Sequence, residues 1–140
     1  MSYKQWFDAH AQKHKAIMTK LTRLSDDEVI EYFRFENMVE KEPDFCPLYA
    51  EKKKCHDTEE LNCYLCACPN FRFNDAGFAR EGVRTLFSTC SIESPDGDRY
   101  VSDTAIHQNC AGCIVPHRES YIRKVFDRNW LTIMQEVPCE

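Results

Sequence analysis

The sequence predicts an α+β or irregular fold, with a small cysteine-rich, metal-organised centre between an N-terminal helical hairpin and a C-terminal helix. Three observations lead there. Roughly the first 40 residues hold no cysteine and carry a helical apolar stripe. Eight of the nine cysteines then fall between Cys46 and His117, where helical spacing disappears. A second helical stripe follows Arg118.

Trp6, Phe7, His10, Ala11, His14, Ile17, Met18, Leu21 and Leu24 recur at spacings of three and four, one face of an amphipathic helix. Ser25 offers an N-cap, Glu28 completes a capping box, and Asp26 and Asp27 suit the positive helix end. A second helix is expected from about Asp26 to Glu40, turning Val29, Ile30, Phe33, Asn37 and Met38 inward, and Pro43 stops it. Residues 1–44 therefore read as a helical hairpin packed on the core. Residues 45–140 read as a cysteine-rich region with its own C-terminal helix, and the two make one folding unit.

Within the centre, Thr85 to Ile92 is a strand-like run of β-branched and aromatic residues. Ser94-Pro95-Asp96-Gly97-Asp98 is a turn by composition, and Arg99 to Val101 returns as a short strand to close a hairpin. Tyr121, Ile122, Val125, Phe126, Trp130 and Ile133 make the stripe of one helix from about Arg118 to Met134.

Hydrophobic residues are 43% of the chain and charged residues 29%, which excludes a disordered or membrane-embedded composition. Eighteen basic and twenty-three acidic residues leave a net charge of −5, which disfavours a broad nucleic-acid footprint. The Met1-Ser2-Tyr3-Lys4-Gln5-Trp6 start lacks a signal-peptide pattern. No apolar run approaches the roughly 18 residues that span a bilayer. A cytoplasmic protein is expected, with a protein partner rather than a membrane or nucleic acid. In a reducing compartment dense cysteines indicate metal more often than disulfides.

The candidate ligands are Cys46, Cys55, His56, Cys63, Cys66, Cys68, Cys90, Cys110, Cys113 and His117. Cys63-x2-Cys66 and Cys110-x2-Cys113 are the sharpest features, because two intervening residues let a tight turn aim both sulfurs at one ion, about 2.3 Å away for zinc. Cys113-x3-His117 and Cys55-His56 add imidazoles beside thiols. Two tetrahedral zinc sites would use eight of these ligands and one four-iron cluster only four. The spacing does not divide them.

The order Cys46-Pro47-Leu48-Tyr49, Cys55-His56, Asn62-Cys63-Tyr64-Leu65-Cys66-Ala67-Cys68-Pro69 and Asn109-Cys110-Ala111-Gly112-Cys113 is similar to the family called cysteine-rich small domain. Pro116-His117-Arg118-Glu119-Ser120-Tyr121 looks like that family's signature after its last cysteine pair. The resemblance covers roughly residues 45 to 125 and leaves the N-terminal helices outside. It implies a metal-binding domain, and an accessory role in cobamide metabolism, since some members are attached to enzymes of that biosynthesis.

Other features have plainer readings. His10 and His14 share a helix face but lie inside the apolar stripe, so packing is expected rather than ligation. Lys52-Lys53-Lys54 reads as a solvated loop, and Asp96-Gly97-Asp98 lacks the ligand ladder of a calcium loop. Arg118 and Glu119 read as helix-start charges, or as contacts behind a metal ligand. Cys139 is expected to be a free thiol. Zinc is favoured over an iron–sulfur cluster because mixed sulfur and nitrogen ligands suit it. Catalysis has the least support: no Ser-His-Asp ordering, phosphate-cradling loop or dinucleotide fingerprint is present.

Overall fold

The computed structural model describes residues 3–110, 112–134 and 137, so the expected free thiol at Cys139 lies outside the described residues. Helix α1 (Tyr3–Lys20) buries Phe7, His10, Ala11, His14 and Ile17, the predicted stripe. Helix α2 (Asp26–Tyr32) starts at the predicted capping box: Glu28 N–H donates to Ser25 Oγ and Ser25 N–H to the Glu28 carboxylate.

The expected second helix is broken. Arg34 is extended, and α3 (Phe35–Lys41) starts anew after it. The cause is a tertiary pairing: Phe35 N–H donates to Leu61 O and Cys63 N–H to Phe33 O, bridging Arg34 and Asn62. Two backbone bonds to the cysteine-bearing segment replace intrahelical ones, and tie that segment to the helices.

Six short strands follow: β1 (Phe71–Phe73), β2 (Ala79–Glu81), β3 (Arg84–Leu86), β4 (Ser88–Cys90), β5 (Asp98–Val101) and β6 (Ala105–Asn109). β1 and β4 form an antiparallel pair with Phe71 opposite Cys90. The others form a sheet ordered β2-β3-β6-β5, in which only β3 and β6 run parallel. The expected hairpin between Thr85–Ile92 and Arg99–Val101 is therefore not formed. That run splits at Phe87, whose N–H donates to Ile106 O while its carbonyl accepts from Asn74 N–H. β5 pairs with β6 instead. The predicted turn is present, with Gly97 N–H donating to Ser94 O.

The C-terminal helix is also interrupted, into α4 (Glu119–Val125) and α5 (Trp130–Ile133). The Tyr64 hydroxyl donates to the Asp127 carbonyl, and Asn129 caps α5 through Leu131 N–H. The turn delivers Trp130 to α1, where its ring lies 4.9 Å from Phe7 and 5.2 Å from His10. One apolar cluster runs through Phe7, Phe33, Phe45, Tyr64, Ile122 and Trp130, so it draws on both halves of the chain. The fold is α+β, helices at both ends. Among the described residues no helix is long and apolar enough to cross a membrane.

Candidate metal centre

Cys46 precedes a 3-10 turn, Pro47–Glu51, in which Tyr49 N–H donates to Cys46 O at 3.0 Å. Lys52 ends that turn in a left-handed conformation. Lys54 bonds the carbonyls of Thr58 and Glu59 and closes the loop that presents Cys55 and His56. The lysine run is thus exposed, as expected, and its last member holds the loop.

Cys66 N–H donates to Cys63 O in the tight turn the spacing requires. Directly after it, Ala67 (φ 88°) and Cys68 (φ 54°) are both left-handed. Two such L-residues in succession store strain of about 1–2 kcal/mol each. The turn reverses the chain between Cys66 and Cys68. Cys68 O accepts from Phe71 N–H, which carries the chain into β1 beside Cys90. At the end of β6, Cys113 N–H donates to Cys110 O in the second tight turn. His117 ends another 3-10 turn, Val115–His117.

Three of these residues meet. His117 Nδ1 lies 2.8 Å from the Asn62 carbonyl, which can only accept, so Nδ1 carries the proton. Nε2 is then a lone pair, 3.5 Å from Cys55 Sγ. His56 Nε2 lies 2.8 Å from the Cys110 carbonyl by the same logic, leaving Nδ1 free and 3.0 Å from Cys55 Sγ. Two imidazole lone pairs therefore face one sulfur, whose single proton can satisfy only one of them. Burial lowers His117 to about 4, so it is neutral at pH 7, the form that binds metal. The ligand atoms of Cys55, His56 and His117 lie within 4.8 Å of one another, the one such group among the described residues.

Every predicted ligand except Cys46 and Cys63 lines one cavity of about 300 Å³. Cys46 and Cys63 stand behind it, beside Tyr49. No described cysteine is in a disulfide. Burial raises the thiols: Cys55 to about 11, with help from the Cys46 charge, and Cys63 to about 12, where Cys55 and Cys46 also contribute. Cys66 is raised by burial and then by Cys63, Cys55 and Cys46. Cys110 rises to about 11 through burial and then Cys68, Cys113 and Cys90.

Comparison with known proteins finds no matching family model, no curated relative and no solved structure. The chemistry therefore rests on the residues themselves. They fit a thiophilic cation, which would deprotonate the sulfurs and accept both free imidazole nitrogens.

The sequence pattern did not mark three further groups beside the ligands. Asn62 orients His117 through its main-chain carbonyl. Tyr49, 4% exposed, points a hydroxyl without any oxygen or nitrogen partner at Cys63. Ser94 Oγ lies 3.2 Å from Cys113 Sγ. His10 and His14 are packed, as expected: His10 stacks on Trp6 and His14 on Phe33. Glu119 bonds Arg34 and Asn62, so it acts behind His117 at one remove.

Proposed function

We propose that this is a metal-binding protein of the cytoplasm, in which zinc held by Cys and His side chains organises the centre and leaves the surrounding helices free to meet a protein partner. The observation that carries this reading is the pair of imidazole lone pairs fixed on Cys55 Sγ by carbonyls on their far nitrogens. Metal-bound histidines are oriented in this way, with the second ring nitrogen donating to a carbonyl or carboxylate. Cys55, His56 and His117 would be ligands, and Cys46, Cys63 and Cys66, the thiols around Cys55, would supply the rest of the set. Zinc supplies folding energy at such sites and needs no redox chemistry. The resemblance to the cysteine-rich small domain family supports metal binding and adds the accessory role in cobamide metabolism.

The test is elemental analysis with a visible spectrum, on the full chain purified without oxygen. Zinc that survives dialysis and is lost in Cys55→Ser supports the reading. Protein that stays folded, metal-free and unresponsive to added zinc would refute it.

A further inference from the structure

Four of the cysteines that line the cavity lie outside the Cys55–His56–His117 group and outside the thiols assigned to it. Cys68 and Cys90 are brought together by the β1–β4 pair, in which Phe71 sits opposite Cys90 and Phe71 N–H donates to Cys68 O. Ser91 N–H donates to Asn70 O and extends that pairing past Cys90. Cys110 and Cys113 come from the tight turn after β6, which the Ser94–Cys113 contact holds against the segment following Cys90. All four sulfur-bearing residues line the cavity.

We propose that Cys68, Cys90, Cys110 and Cys113 form a second, separate, all-thiolate metal centre, distinct from the Cys55–His56–His117 site. The backbone reversal at Ala67–Cys68 is what separates them: Cys66 stays with the first group and Cys68 passes to the second.

The Tyr3 hydroxyl gives an independent sign. It is buried without a hydrogen-bond partner, and its residue lines the same cavity. A thiol is a weak acceptor, but a metal-bound thiolate is a good one. The four sulfurs surround the cavity rather than touch. A single zinc would draw them inward, whereas an iron–sulfur cluster would span it, because both are held by cysteine thiolates.

This inference rests on the metal-binding reading, and the experiment separates the two. Metal content of the anaerobically purified full chain is compared with Cys55→Ser, Cys90→Ser and the double variant. Each single variant is expected to lose one centre and keep the other, and the double variant to lose both. Iron with equimolar sulfide and a broad visible band identifies a cluster, whereas a second zinc without a band identifies a single ion. Either supports a separate centre. If Cys55→Ser and Cys90→Ser remove the same metal, or Cys90→Ser removes none, the second centre is refuted while metal binding stands. A wild-type chain that binds no metal refutes both. Cobalt(II) titration of the stripped wild-type chain needs no variant: an all-thiolate spectrum beside a mixed one is expected, and a mixed spectrum alone overturns the proposal.

Discussion

Asn62 is 1% exposed and uses every polar atom of its side chain. Its side-chain amide donates to Ile30 O and to Glu119, its Oδ1 accepts from Tyr64 N–H, and its main-chain carbonyl accepts from His117 Nδ1–H. Asn62→Ala leaves buried groups unpaired, at about 1–3 kcal/mol of stability by urea denaturation. The variant keeps the main-chain carbonyl but loses the side-chain bonds that fix it, so a loosened His117 should weaken zinc by roughly 10-fold. Unchanged zinc affinity in a competition assay would show that the Asn62 side chain does not hold that carbonyl in place. The thiols set a second expectation. Each must lose a proton that burial makes it keep, with Cys55 near 11 and Cys63 near 12. Zinc uptake then releases protons, so affinity should fall as pH falls, by about tenfold per pH unit for each thiol ionised. Competition assays at pH 6 and 7.5 measure it, and a flat profile would argue against thiolate ligation.

At the scale of elements, the turn after Cys66 carries the clearest strain. Ala67 holds φ at 88°, a region that costs an L-residue energy and glycine almost none. Ala67→Gly should stabilise the chain by up to about 1 kcal/mol, the relief being partly offset by greater freedom of the unfolded chain. A loss of stability in the same urea assay would mean that the alanine methyl packs more than the backbone strains. Strand pairing was less legible than helix position. β2 and β5 are exposed along their length, so no inward-facing alternation marks them. A signal was nonetheless present. Glu81 pairs with Arg84 around Gly82 (φ 69°) and Val83, and glycine at the first position of a two-residue loop is a hairpin mark.

Across the whole molecule, the buried histidines of α1 link packing to pH. Burial lowers His10 to about 4, with Lys13 adding to it, and His14 to about 3, with His10 adding and a bond to the Tyr64 backbone opposing. Their folded values lie below the unfolded value of about 6.5, so the unfolded chain binds more protons in between. Stability from this source is complete above about pH 6.5 and falls as pH drops toward 4, by up to about 1.4 kcal/mol per unit for each ring. His14→Gln should flatten that slope in urea midpoints taken from pH 7 to 5. An unaltered slope would show that His14 is not held neutral by burial.

The helical stripe of α1, the Ser25–Glu28 box, the Ser94–Gly97 turn and the tight turns at Cys63–Cys66 and Cys110–Cys113 were readable in the sequence, because spacing along one chain encodes them. Tertiary structure alone decided the rest. It broke two expected helices where Leu61, Cys63 and Tyr64 took up backbone groups that the helix pattern assigns to neighbours. It set Cys68 beside Cys90, 22 positions away in the chain, and aimed both imidazoles at Cys55 through carbonyls at Asn62 and Cys110. Periodicity records which face of an element is buried. Which distant carbonyl fixes a ring nitrogen depends on how the elements close on one another, and no local pattern carries that information.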